Sequence, residues 1–243
     1  MSKQPEQILE ENLVSQLQLL GYALVSVSNE AELLSNLKTQ LEKHNNIRFS
    51  DKEFERVLNI LSKGSVFDKA KILRERQQIV SDNGENLYFE FIEQEHWCQN
   101  QFQVTNQISM EGTYKNRYDV TLLINGLPLV QIELKRRGIE LKEAFNQINR
   151  YHRHSFGSSA GLFQYIQVFV ISNGVNTKYY ANNRFQSFKQ TFYWSDNENV
   201  IITQLEKFAF NFLTTTQLKR WLSVSKPPKR TVTSGTPPVR AKP

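Results

Sequence analysis

The sequence predicts an α/β protein of the α+β type, with a mixed β-sheet flanked by helices. Three observations lead to this prediction. Leucines recur at helical spacing near the N-terminus, alternating and β-branched runs fill the middle of the chain, and the order is helices, strands, a hairpin, a helix and a further strand. The 243 residues allow one large domain or two small ones.

Helices are predicted where apolar residues share one face and capping residues flank them. Gly21 ends the first helix, the Ser28-Asn29 pair begins the second, and Gly138 precedes a later one. The predicted helices cover Pro5–Leu20, a segment around Leu33–Leu41, Asp51–Gly64, Ile139–His154 and Val200–Leu213.

Strands are predicted from aromatic and β-branched runs bounded by turn residues. Asn125-Gly126 and Asn173-Gly174 are turn signals between such runs. The predicted strands are Tyr22–Ser26, Leu87–Ile92, Phe102–Ile108, Tyr118–Ile124, Pro128–Lys135, Gln167–Ile171 and Lys178–Ala181.

The register of the Asn125-Gly126 hairpin follows from the faces of its two strands. A three-residue loop, 125–127, pairs Val120 with Ile132 and keeps the apolar side chains of both strands, Tyr118 included, on one face. A two-residue loop would mix the faces. The favoured register sets Asp119 directly opposite Glu133.

Asp119, Glu133 and Lys135 therefore form a patch of two acids and one base on a single face. Opposed carboxylates repel each other unless a positive charge intervenes. Carboxylate oxygens with room for water suit Mg²⁺, and a divalent ion there would activate water, with the lysine orienting it. The alternative is an exposed strand face that carries a cross-strand salt-bridge network.

Two strings of residues resemble a known family. NRYDVTLLINGLPLVQIELKRRG and EAFNQINRY, between Asn116 and Tyr151, are similar to the N-terminal endonuclease domain of type I restriction enzyme R subunits (HsdR), within the PD-(D/E)xK nuclease superfamily. Tyr118 replaces the proline of the superfamily's name, which matters little because proline is not a ligand. The resemblance extends from the first helix to about residue 215 and implies a restriction-endonuclease-like fold.

The resemblance also implies roles for individual residues. Asp119 and Glu133 would bind Mg²⁺ (Mn²⁺ is possible), the Leu134 carbonyl would add a ligand, and Lys135 would orient the nucleophilic water. Related nucleases bring a further acid from the first helix, and Glu10, which flanks the leucine stripe, is the candidate for this third metal ligand.

Gln147 and Tyr151 match the QxxxY element of the same group of nucleases. They stand at i and i+4 on the predicted helix, so they share one edge. The resemblance implies contact with the DNA backbone beside the metal. The alternative is that Tyr151 is a core aromatic whose hydroxyl Gln147 caps.

The implied function is a Mg²⁺-dependent DNA endonuclease that acts on double-stranded DNA with the modification and specificity subunits of a type I complex. The alternative is a non-catalytic DNA-binding or assembly module that keeps the nuclease fold. The 243 residues contain no G-x-x-x-x-G-K-[ST] phosphate loop, so ATP would bind only in a motor region outside this chain. The chain is either a piece of a longer R subunit or a stand-alone nuclease.

The composition excludes several other classes of protein. The single cysteine, Cys98, permits no internal disulfide and no thiolate-rich zinc site, and no apolar run approaches the roughly 20 residues of a membrane span. We therefore expect a cytoplasmic location. The net charge of +6 comes largely from Ser225–Pro243, which carries five bases, no acid and five of the seven prolines. The predicted domains are accordingly 1–222, the nuclease, and 223–243, a flexible basic tail or linker.

Overall fold

A sheet of six strands forms the centre of the molecule. The computed structural model describes residues 5–64, 66–110, 116–151, 161–183 and 185–218. Its helices α1 to α6 are Pro5–Leu19, Glu30–Asn45, Asp51–Ser62, Val66–Ile72, Leu141–Tyr151 and Leu205–Phe212. Its strands β1 to β10 are Ala23–Leu24, Gln77–Val80, Asn86–Phe89, Phe102–Met110, Asn116–Ile124, Leu127–Leu134, Val168–Ser172, Thr177–Ala181, Trp194–Ser195 and Ile201–Ile202.

The six-stranded sheet has the order β1-β4-β5-β6-β7-β8. Strands β4, β5 and β6 are antiparallel neighbours, as are β7 and β8, whereas β1 pairs with β4 and β6 with β7 in parallel. The predicted mixed sheet flanked by helices is therefore confirmed. No helix in the described part of the chain is long and apolar enough to cross a membrane.

Each face of the sheet is covered by its own apolar layer. Val120 and Ile132 pack with α1 and α6 on one face, in a cluster that also contains Leu17 and Phe208. Leu123 and its neighbours pack with α2, α3 and α5 on the other face. Every residue of β6 is consequently buried, polar ones included.

The first three helices begin and end close to the predicted positions because their capping chemistry is local. The Asn29 side chain accepts a hydrogen bond from the Glu32 amide at the start of α2. Ser50 and Glu53 form a reciprocal capping box at the start of α3. The strand predicted at Tyr22–Ser26 is shorter, with only Ala23–Leu24 paired.

The predicted closing helix over Val200–Leu213 is wrong in its first part. Ile201 and Ile202 form β10, which pairs with β9, and α6 begins only at Leu205. The Asp196 carboxylate accepts from the amides of Glu198 and Val200, and this turn directs the chain into a short hairpin. β-Branched residues suit the extended conformation that follows.

The middle of the chain contains elements that the sequence did not predict. Among the described residues, strands β2 and β3 pair only with each other, so the strand predicted over Leu87–Ile92 belongs to a separate hairpin. Helix α4 was also not predicted. The predicted end of α5 at His154 and the basic tail 223–243 lie outside the described residues, so both stay predictions.

The β5–β6 turn has two residues, so the predicted three-residue loop is wrong. Asn125 and Gly126 have φ values of 49° and 81°, and Ile124 pairs with Leu127. A shift of register between Leu122 and Leu123 then leaves one extra residue in β6. Beyond this bulge Val120 pairs with Ile132, as predicted.

Candidate functional site

The side chains of β4 and β5 stop alternating at the end of the sheet remote from the Asn125-Gly126 turn. Val120 lies in the apolar layer with α1, whereas Tyr118 lies in the layer with α5. The prediction that both share a face is therefore wrong. Gln107, between the residues of β4 that pair with Val120 and Tyr118, has a φ of 58°. This left-handed residue accompanies the change of face in both strands.

The change of face directs Asp119 to the α1 side of the sheet. There it lines a cavity of about 480 Å³ together with Glu10 of α1 and Leu134 at the end of β6. The Leu134 amide donates a hydrogen bond of 2.8 Å to Asp119 Oδ2. This bond joins the first acid of the site to the strand that carries the second.

Glu133 and Lys135 form the other half of the site. The Glu133 side chain is fully buried, and Lys135 Nζ lies 3.2 Å from its Oε1. The same ammonium donates to the Leu134 carbonyl at 3.0 Å. Glu133 Oε2 is buried and has no hydrogen-bond partner among the described residues. A buried carboxylate oxygen without a partner is costly, so this atom is suited to receive a cation.

Burial raises the pKa of Asp119 to about 6, and the charges of Glu10 and Glu6 act in the same direction. The Leu134 amide and Lys135 partly oppose this rise. Burial also holds the pKa of Glu133 well above its usual range, with a further contribution from the charge of Asp119. Lys135 therefore does not fully offset the burial of the two carboxylates, and a divalent ion fits this donor set.

Glu10 lies in the same cavity but is already engaged. It is buried, its Oε1 accepts from Asn106 Nδ2 at 2.6 Å, and its Oε2 accepts from Gln107 Nε2. Within the described ranges no group of three His, Cys, Asp or Glu side chains is arranged to hold a metal ion. Glu10 as a third ligand therefore stays a prediction. The two amides are site residues that the sequence did not reveal, because the backbone of Gln107 brings them to one carboxylate.

Gln147 and Tyr151 make contacts within the protein. Tyr151 is buried, and its hydroxyl donates to the Arg117 carbonyl at 3.0 Å and accepts from Gln147 Nε2. Its ring packs edge-to-face on Tyr118, the neighbour of Asp119. The pair thus braces the strand that carries Asp119. Contact of Gln147 and Tyr151 with DNA stays a prediction.

The comparison with known protein families decides the identity of the chain. A family model described as Type I restriction enzyme R protein N terminus matches residues 3–188. The chain belongs to this family. The family and the mixed sheet flanked by helices agree with the resemblance seen in the sequence, whereas the roles of Asp119, Glu133 and Lys135 stay predictions.

Two curated endonuclease subunits of type I restriction enzymes are similar to most of this chain. This chain is 45% identical over 229 residues to the Type I restriction enzyme SauCOLORF180P endonuclease subunit of Staphylococcus aureus (strain COL). The aligned residues cover 92% of this chain and 24% of the relative. The chain is 40% identical over 222 residues to the Type I restriction enzyme EcoprrI endonuclease subunit of Escherichia coli, covering 87% of this chain and 70% of that relative. The chain thus spans about a quarter of the length of the staphylococcal relative.

Proposed function

We propose that this domain hydrolyses phosphodiester bonds of double-stranded DNA with a divalent metal ion held by Asp119 and Glu133. The observation that carries the proposal is the buried, unpartnered Glu133 Oε2 near the half-buried carboxylate of Asp119 and the ammonium of Lys135. The relatives are named endonuclease subunits of type I restriction enzymes, which supports the same activity here.

Three groups of the chain would hold the ion, namely the carboxylates of Asp119 and Glu133 and the Leu134 carbonyl. A Mg²⁺ or Mn²⁺ ion there would supply Lewis acidity that offsets charge on a phosphoryl oxygen. Lys135 Nζ donates hydrogen bonds to two of these oxygens, Glu133 Oε1 and the Leu134 carbonyl. Its ammonium would leave them when the ion binds and would then orient the attacking water, while Leu134 N–H keeps Asp119 in place.

We further propose that the domain works inside a type I complex, on DNA chosen by the specificity subunit and beside a modification subunit. This proposal follows the printed names of the relatives, which are subunits of such enzymes. ATP would be bound by a motor region that is absent from this sequence.

Isothermal titration with Mg²⁺ or Mn²⁺ tests the metal site. Asp119→Ala and Glu133→Ala should each lower the affinity by more than about 100-fold, since even the loss of a residue that only orients a ligand costs about 10–100-fold. Glu11→Gln is the matched control, because Glu11 lines the same cavity on α1 without being a proposed ligand. Glu10→Gln decides the third acid: a loss as large as that of Asp119→Ala would make Glu10 a ligand.

Cleavage of supercoiled plasmid separates the nuclease from the non-catalytic alternative. Lys135→Ala should bind the metal at least as tightly as the wild type, because a competing cation has gone, and should lose nicking. Metal binding by the wild type without nicking, alone or in the assembled complex, would favour the non-catalytic DNA-binding module. Full nicking by Lys135→Ala would remove the lysine from the mechanism.

A further inference from the structure

Arg117 is the one basic residue among the described residues that line the Asp119 cavity. The same cavity is lined by the carboxylates of Glu6, Glu10, Glu11 and Asp119. A DNA phosphate that approaches this group meets like charge on several sides. A cation at the mouth of the cavity therefore has a large effect on whether a phosphodiester can enter.

The backbone of Arg117 is held in place, whereas its side chain is available. The Tyr151 hydroxyl donates to the Arg117 carbonyl, and the next residue, Tyr118, is fully buried against the rings of Tyr151 and Phe163. The Arg117 side chain is exposed, and its guanidinium makes no hydrogen bond or ion pair with another residue in the described part of the chain.

We propose that the Arg117 guanidinium binds the DNA phosphate that lies against the Asp119–Glu133 site. The inference rests on the proposed function and adds a substrate-binding residue to it. A guanidinium presents two parallel donors that match two phosphate oxygens, and such charge-assisted pairs are among the stronger hydrogen bonds in proteins.

The placement of Arg117 gives the buried Tyr151 a role beside the site. Arg117 and Asp119 point from the same end of β5, and the Tyr151 hydroxyl fixes the strand at Arg117 itself. Gln147 holds that hydroxyl from the previous turn of α5. The helix therefore acts on the substrate through Arg117, which makes Gln147 and Tyr151 positioning residues.

The test measures binding of a labelled DNA duplex to the full chain by fluorescence anisotropy. Ca²⁺ serves as the divalent ion, and salt is varied between about 50 and 200 mM. Arg117→Ala should weaken binding about 10-fold and lower the slope of log affinity against log salt by about one. Arg117→Lys should recover part of the affinity because it keeps the charge and loses the paired donors. Thermal melts of Arg117→Ala should match the wild type, since the side chain is exposed.

Arg48→Ala is the matched control, because Arg48 lies between α2 and α3 with a side chain that is 92% exposed and pairs only with Glu42 among the described residues. It should bind DNA as the wild type does. Wild-type affinity and salt slope for Arg117→Ala would overturn the inference, as would a wild type that does not bind the duplex. A lowered melting temperature in both Arg117 variants would also overturn it, in favour of a structural role. Mg²⁺-dependent nicking by the wild type is scored separately: binding without nicking rejects the proposed function and leaves the phosphate contact of Arg117 in place.

Discussion

The two ends of the β5–β6 hairpin both bury polar side chains, but in the described part of the chain only the end at the turn provides every polar atom of its side chain with a hydrogen-bond partner. At the turn, Asn125 is fully buried, donates to the carbonyls of Phe91 and of the Asn100 side chain, and accepts from the Gln101 amide. At the other end, Glu133 is equally buried and one of its oxygens has no partner among the described residues. The hydrogen bonds of Asn125 stabilise the fold, whereas the unpaired oxygen of Glu133 destabilises it until a ligand binds there.

The contrast shows that burial alone does not distinguish a structural polar residue from a functional one. Asn125 uses its three hydrogen bonds to join the turn to the segments around Phe91 and Gln101. Glu133 has Lys135 on one oxygen only. A buried polar residue is instead a candidate for function when one of its polar atoms lacks a hydrogen-bond partner.

The largest expected effect on stability lies at the turn. Gly126 has a φ of 81°, and a Cβ there would lie 2.7 Å from the Leu37 Cα of α2. Gly126→Ala should lower the free energy of unfolding by about 3 kcal/mol, because backbone strain and a clash with a helix add together. Urea denaturation measures the change.

Gly84→Ala is the control for Gly126→Ala. Gly84 has a similar φ of 88°, but a Cβ there meets nothing within 4 Å. The free energy of unfolding of this variant should fall by only about 1 kcal/mol, which is the cost of placing alanine in the left-handed conformation. Equal losses for both variants would show that the approach of α2 to the turn does not matter.

A medium effect of opposite sign is expected at the other end of the hairpin. The pKa of Asp119 is raised from 3.8 to about 6, so in the metal-free protein its contribution to stability is present below pH 4 and is lost as the pH rises through 6. Asp119→Asn cannot ionise. In EDTA it should be more stable than the wild type by about 2 kcal/mol at pH 8, with no difference near pH 3.5.

Urea denaturation across this pH range measures the effect, with Asp51→Asn as the control. The pKa of Asp51 is lowered by its hydrogen bond to Lys38, so this variant should be less stable than the wild type at pH 8. A variant Asp119→Asn that is less stable than the wild type at pH 8 would contradict the assignment of an uncompensated acid.

The smallest expected effect concerns Tyr151. Tyr151→Phe removes the bond to the Arg117 carbonyl while keeping the ring against Tyr118. It should lose about 1 kcal/mol of stability, with a modest fall in nicking. Thermal melts and nicking assays on the same preparation check this. A variant that stays fully stable but is inactive would instead support direct contact of Tyr151 with DNA.

Much of the site could be predicted because its signals are local. Asp119 and Glu133 lie on two strands joined by a short turn and Lys135 directly follows the second strand, so the pairing of the hairpin brings them close. Alternation does not predict the side on which Asp119 lies, because the side chains of β5 change face between Tyr118 and Val120. The turn residues Asn125-Gly126 have strong conformational preferences of their own, which made the hairpin predictable. The bulge in β6 was not predicted, because a three-residue loop and a two-residue turn followed by a bulge lead to the same pairing of Val120 with Ile132.

The early helices with their caps and the β5–β6 hairpin follow from the sequence alone, since each depends on a short stretch of chain. The mixed sheet follows only from the order of helices and strands, because its parallel pairs join segments that are far apart in the chain. Three features depend on the folded chain as a whole: the left-handed conformation of Gln107, the hydrogen bonds of Asn106 and Gln107 to Glu10, and the bond from Tyr151 to the Arg117 carbonyl. These contacts join segments 34 to 97 residues apart. Their energies depend on burial and on partners that periodicity in the sequence does not encode.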